Sequence, residues 1–206
     1  MAAPALRPSR RTFLTVGATL AASTLLRAPR ATGAVADLDF GSALTAARAI
    51  RRAEVSSVEL TTRMLDRIRQ HNPRLNAIVT LTEDTALARA KAADEARARG
   101  EWWGPVHGVP CTVKETFELA GARTTAGSPT LANHVSARDA VVVERLKAAG
   151  AVILGKTNVP LWASDWQSYN EVFGATNNPW DTTRTPGGST GGGAAALAAG
   201  LSYFEP

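Results

Sequence analysis

From Pro186 to Gly193 the chain reads Pro-Gly-Gly-Ser-Thr-Gly-Gly-Gly, and Ala-Ala-Ala-Leu-Ala-Ala-Gly follows at once. Two hydroxyls, Ser189 and Thr190, therefore sit among five glycines, where backbone lacking Cβ atoms lets a substrate or a neighbouring strand come close. Glycines give up much conformational freedom on folding, so such a stretch is seldom kept for stability alone. A flexible Gly/Ser linker is the competing reading. Linkers seldom run straight into a tight Ala-rich helix former, and the linker is disfavoured here.

Three other patterns promise chemistry and do not deliver it. Gly150-Ala-Val-Ile-Leu-Gly155-Lys156-Thr157 spells the phosphate-cradling loop of nucleotide hydrolases. That loop needs a strand before its first glycine, exposed backbone amides and a helix starting at Lys-Thr. Here a helix pattern precedes Gly150, Ala151–Leu154 is apolar enough to be buried, and Pro160 removes a donor where the first turn would lie. Nucleotide binding stays a remote alternative. Cys111 is the only cysteine, so no disulfide can form within the chain; in an apolar run it reads as a small buried hydrophobe. His71, His107 and His134 are too widely spaced for a metal cluster, and no cofactor is implied.

The elements around these residues alternate between helix and strand. Ser56-x-x-Glu59 is a capping box leading into a helix over Val58–Gln70 that stops at Asn72-Pro73. Asn76–Thr82 is a short β-branched run, and Glu83–Arg99 is a helix closed by Gly100. Val109–Thr116 reads as a strand. Ser136–Ala149 reads as a helix with Val141, Val142, Leu146 and Ala149 on one stripe, closed by Gly150, and Ala151–Leu154 as a buried strand before a polar loop. Such a succession predicts an α/β layered fold. Trp162, Trp166 and Tyr169 could line a pocket, but as isolated aromatics they are expected in the core.

Charge divides the chain. Residues 1–36 contain Arg7, Arg10, Arg11, Arg27 and Arg30 and no acid, so the remaining 18 basic residues face 18 acidic ones. A neutral main part has no general attraction for phosphate backbones, and nucleic acid is not an expected partner. Ser9-Arg10-Arg11-Thr12-Phe13-Leu14 has the twin arginines of a Tat-type signal, an apolar run spans 13–26, and Ala34-Val35-Ala36 is a small-x-small cleavage site. The apolar run is too short and too rich in Gly and Thr for a stable membrane anchor. The expectation is a signal peptide over 1–36, cleavage after Ala36, and a working place in the periplasm or outside the cell.

Four blocks carry a family resemblance. Gly104-Pro-Val-His-Gly-Val-Pro-Cys-Thr-Val-Lys114-Glu, Ala-Gly-Ala-Val-Ile-Leu-Gly-Lys-Thr-Asn-Val-Pro160, Asn178-Pro-Trp-Asp181 and Thr185-Pro-Gly-Gly-Ser189-Thr-Gly-Gly-Gly occur in the order and spacing of the amidase signature family. The chain resembles that family over essentially all of 37–206, most sharply from Gly104 to Gly200. The resemblance implies a mixed β-sheet flanked by helices, and a Ser–cisSer–Lys hydrolase of linear amides whose partner is a small-molecule amide. Its lysine falls on Lys114 and its bridging serine on Ser189, after a cis peptide at Gly188–Ser189. Taken alone, Lys114 could equally be a strand-end charge reaching for solvent; drawn inward, it would lose proton affinity and become a usable base. Thr190 replaces the family's frequent second serine, keeping a hydroxyl, and Glu115 replaces its usual Asp. Asp181 and Arg184 read as a surface pair tethering the loop. The export signal and the neutral main part argue against the family's cytoplasmic members that amidate aminoacyl-tRNA.

The family's nucleophilic serine and oxyanion donors lie in a Gly-Ser-Asp-x-Gly-Gly-Ser stretch that would begin after Pro206. Ser202 comes too early, in what reads as a strand, to replace it. These 206 residues are thus expected to be a fragment lacking the nucleophile and inactive alone. A non-catalytic exported product is the alternative.

Overall fold

A computed structural model describes residues 38–206. The proposed leader and its cleavage site lie outside these residues.

Helix α1 (Ala43–Arg51) begins at Ser42, whose side chain accepts from the Thr45 amide at 3.1 Å. The capping box at the start of α2 (Ser57–Leu75) forms as expected. Ser56 Oγ accepts from Glu59 N at 3.1 Å and Ser56 N donates to Glu59 Oε2 at 2.7 Å. Yet α2 does not stop at Asn72-Pro73. Pro73 is accommodated in the last turn, and the exit is organised by Asn72, whose Oδ1 accepts from Ala77 N and Ile78 N at 2.9 Å each. The helix closes on Asn76 in the left-handed region, which asparagine tolerates. Helix α3 (Glu83–Ala98) buries Ala86, Ala90, Ala93 and Ala96, small residues that let it lie close to its neighbours.

Strands β1 (Ile78–Leu81), β2 (Pro110–Lys114) and β3 (Val152–Thr157) form a sheet in the order β1-β3-β2, with β3 antiparallel to β1 and parallel to β2. Alternation along β3 supplies two cores. Val152 and Leu154 join the core built with α1, α2 and α3, whereas Ile153 packs with Cys111 and Val113 against Val143 of α4 (Val141–Ala148). A mixed sheet covered on both faces by helices is the expected α/β architecture. Among the described residues no helix is long and apolar enough to cross a membrane.

Two further boundaries differ from the sequence reading. Helix α4 starts at Val141 rather than Ser136, because the preceding residues are committed elsewhere. Ser136 Oγ donates to Thr124 Oγ1 at 2.7 Å, and Asp139 accepts from Ala120 N at 2.8 Å and Lys147 Nζ at 2.6 Å. Val143, not Val141, is then the buried contact; Val141 is exposed. Strand β3 also continues past Leu154 through Gly155, Lys156 and Thr157, all buried. A Cβ at Gly155 would strike the Thr80 carbonyl, so glycine is what lets β1 pair there.

Beyond the sheet lie a two-residue ladder, β4 (Tyr169–Asn170) with β5 (Gly174–Ala175), and helix α5 (Gly191–Ala198). Arg67 of α2 fixes the far end of α5, donating to the carbonyls of Ala199 and Gly200 at 2.8 Å each and to Asp39 at 2.8 Å. Hydrogen bonding from Arg63 is the main reason the Asp39 carboxyl is held below its usual range, against its burial. A carboxyl depressed in the folded state stabilises above its unfolded value, and that stability is lost as pH falls through the folded one. Asp39→Asn is expected to cost roughly 1–3 kcal/mol at pH 7, a gap that closes below about pH 4. Urea unfolding at several pH values measures it; a gap constant from neutral pH into acid would contradict it.

Candidate active site

Lys114 is the last residue of β2, paired across the sheet with Thr157. Its side chain is half-buried. Burial lowers the proton affinity of its amine, with the charge of Glu205 acting in the opposite direction.

The glycine segment is docked, not loose. The backbone at Gly188 lies so close to Asp165, Trp166 and Gln167 that no Cβ would fit. Gly191 N donates to Ser168 Oγ at 2.9 Å, and Gly192 N donates to the Asn158 carbonyl at 3.2 Å, where a Cβ would collide with the Asn158 backbone. The Gly188–Ser189 peptide is cis. In this setting Lys114 Nζ stands 2.7 Å from Ser189 Oγ and 3.0 Å from Thr190 Oγ1. Two residues 75 positions apart, singled out on sequence grounds, are thereby brought together. A hydroxyl both donates and accepts, so Ser189 can pass a proton between the amine and a third group.

The surroundings sort the other candidates. Gly150–Thr157 forms the turn into β3 and the strand itself, with no helix starting at Lys156-Thr157. Lys156 instead is wholly buried. Its Nζ donates to the Arg123 carbonyl at 3.0 Å and to Thr124 Oγ1, and lies 3.8 Å from Glu115 Oε1. Glu115 in turn accepts from Thr125 N at 2.5 Å. The sequence reading misses this buried pair; the only available signal is that β-branched and apolar residues continue on both sides of Lys156. Cys111 is buried, and burial pushes its thiol well above the ordinary range. Asp181 and Arg184 form the anticipated exposed pair, at 3.0 Å.

The aromatic expectation is overturned. Trp162, Trp166 and Tyr169 are 55%, 87% and 52% exposed rather than in the core. The turn holding Trp162 and Ala163 runs through φ of 52° and 54° and is pinned by Trp162 N to the Ala126 carbonyl at 2.7 Å, which directs the ring outward. Tyr169 lines a cavity of about 450 Å³ with Gly127, Pro160, Leu161 and Asp165. Asp165, one of its lining residues, also has its carbonyl against Gly188. Ser202 is not in a strand; it accepts from Thr112 Oγ1 at 3.1 Å and donates to the Phe204 carbonyl at 3.0 Å.

A half-buried amine thus rests on a hydroxyl at the edge of a mixed α/β sheet. Residues 59–205 match the amidase family model, and the chain belongs to the amidase family. It is 53% identical over 154 residues to a glutamyl-tRNA(Gln) amidotransferase subunit from Azoarcus sp. (strain BH72), covering 75% of this chain and 31% of that protein. Among solved structures, native peptide amidase from Stenotrophomonas maltophilia superposes with a TM-score of 0.74 at 35% identity, covering 80% of this chain and 35% of that one. A fatty acid amide hydrolase superposes with a TM-score of 0.79 at 27% identity, covering 84% and 31%. The chain spans about a third of the length of these relatives.

Proposed function

We propose that these residues form the N-terminal part of an amidase that cleaves carbon–nitrogen bonds of small linear amides by acyl transfer. The observation that carries this reading is the 2.7 Å approach of Lys114 Nζ to Ser189 Oγ. Neutral Lys114 takes the proton of the Ser189 hydroxyl. Ser189 takes a proton from a nucleophilic serine, supplied beyond the present 206 residues, as that serine bonds to the amide carbon. The proton returns through Ser189 to the leaving nitrogen as the C–N bond breaks, and water then hydrolyses the acyl ester by the same relay. The cavity lined by Asp165 and Tyr169 would receive part of the substrate.

A polypeptide continuing past Pro206 into Gly-Ser-Asp-x-Gly-Gly-Ser is expected to hydrolyse a simple acyl anilide, and residues 1–206 alone to leave it intact. Turnover by the 206-residue chain, or none by the longer one, would overturn this division of roles.

We further propose that residues 1–36 are a Tat-type signal and 37–206 the start of the amidase domain, so that the enzyme works in the periplasm or outside the cell. The 53% identity to an amidotransferase component favours a second reading, in which the protein is one part of an amide-transferring complex. Five arginines without an acid in the first 36 residues, and a neutral remainder, favour the first. Mass spectrometry of the mature protein separates them: loss of 1–36 with export supports the amidase, and retention of those residues in the cytoplasm supports the complex.

A further inference from the structure

Glu205 has no part in the relay described above, yet its carboxyl lies between the elements that carry it. Its Oε1 accepts from Thr157 Oγ1 at 2.8 Å. Thr157 is the cross-strand partner of Lys114, so the two side chains project from the same face of the sheet. On the other side, the carboxyl fills the space that a Cβ at Gly193 would need, against the first turn of α5, four residues from Ser189. The second oxygen, Oε2, is buried and has no hydrogen-bond partner among the described residues. Of the titratable groups on the packed elements, β2 presents Lys114 and the buried thiol of Cys111, both within the field of Glu205. From β3 comes the Thr157 hydroxyl, while Lys156 turns to the opposite face to meet Arg123 and Thr124. From α5 comes glycine backbone alone.

We propose that Glu205 is a positioning residue that acts through Lys114: its carboxyl, clamped between Thr157 and the first turn of α5, sets the pH range over which the amine is a free base. The physical basis is a two-way coupling. Burial raises the proton affinity of the carboxyl, and the hydroxyls of Thr112 and Thr157 and the charge of Lys114 oppose it. Ionised Glu205 favours the ammonium form of Lys114, and protonated Glu205 releases the amine to act as a base. The proposal rests on the reading of Lys114 as the relay base.

The chain contains only four lysines, Lys91, Lys114, Lys147 and Lys156, so 13Cε-lysine NMR can follow Lys114 in the 206-residue protein, its signal assigned by loss in Lys114→Arg. Glu205→Gln keeps the size and the bond from Thr157 while removing the charge. The Lys114 midpoint is expected to fall by about 1 pH unit. An unchanged midpoint would overturn the proposal. The unsubstituted protein gives an independent reading: the Lys114 signal should show a second, smaller inflection where Glu205 titrates, and a single inflection would likewise overturn it. Neither result depends on turnover. Retained activity in a Lys114→Ala amidase would instead sink the relay, leaving the measured coupling standing.

Discussion

Lys114→Ala, introduced into the polypeptide carrying the whole amidase domain, is expected to lower kcat/KM for amide hydrolysis by about a thousandfold, with KM little changed, and Ser189→Ala to do the same. A thousandfold loss corresponds to about 4 kcal/mol of transition-state stabilisation. Both effects are large for one reason. The amine is hydrogen-bonded to the two hydroxyls of the glycine segment, so in the proposed relay each replacement would interrupt the path of the proton rather than a packing contact. Because Lys114 is half-buried and makes no close ion pair among the described residues, its loss should leave the unfolding midpoint nearly unmoved. Thr190 stands farther from Nζ, at 3.0 Å, and is exposed, so Thr190→Val is expected to slow turnover less than tenfold. Steady-state kinetics on an anilide decides it: Lys114→Ala within tenfold of the parent would remove Lys114 from the chemistry.

The largest stability effect is expected at the buried pair of Glu115 and Lys156. Lys156→Met should destabilise by about 3–5 kcal/mol, because it leaves the Glu115 carboxylate buried without its cation. Glu115 already has one oxygen, Oε2, without a partner among the described residues, and the Arg123 carbonyl would lose its donor as well. The double variant Glu115→Gln/Lys156→Met removes both charges and should recover most of that loss. The pH dependence gives the sign a separate test. Burial pushes the Lys156 amine down to about 8, with the charge of Glu115 opposing it. Between that value and the unfolded value of about 10.4, the unfolded chain binds the extra proton, so this lysine's contribution to stability rises with pH across that window. Urea unfolding from pH 7 to 10 should therefore show the parent gaining on Lys156→Met. Strictly additive single losses would mean that Glu115 and Lys156 are not a unit.

How much is legible in the sequence depends on the range of the interaction. The capping box at Ser56, the glycine closing α3 and the apolar run of β2 are local rules, and the structure follows them. The start of α4 escapes such rules because Ser136 and Asp139 are held by Thr124, Ala120 and Lys147, partners that no local pattern reveals. Lys156 stands in the letters of a phosphate loop, and nothing local points beyond the failure of that motif. Its actual role as a buried cation depends on Glu115 lying beside it across the β2–β3 pairing. Hydrophobicity alone puts the aromatic residues in the core, whereas the turn at Trp162 and Ala163 faces Trp162 outward and Trp166 and Tyr169 are exposed as well. Lys114 and Ser189 can be named from motif blocks, but the 2.7 Å between them is a product of the Gly188 and Gly192 contacts.

A kinetic double-mutant cycle on Lys114 and Ser189 bears most directly on the relay. If the amine and the hydroxyl move one proton in concert, Lys114→Ala/Ser189→Ala should be about as slow as the slower single variant, since the second replacement has nothing left to interrupt. Two losses that multiply would show the side chains acting separately, and the hydrolase mechanism built on their contact would be wrong.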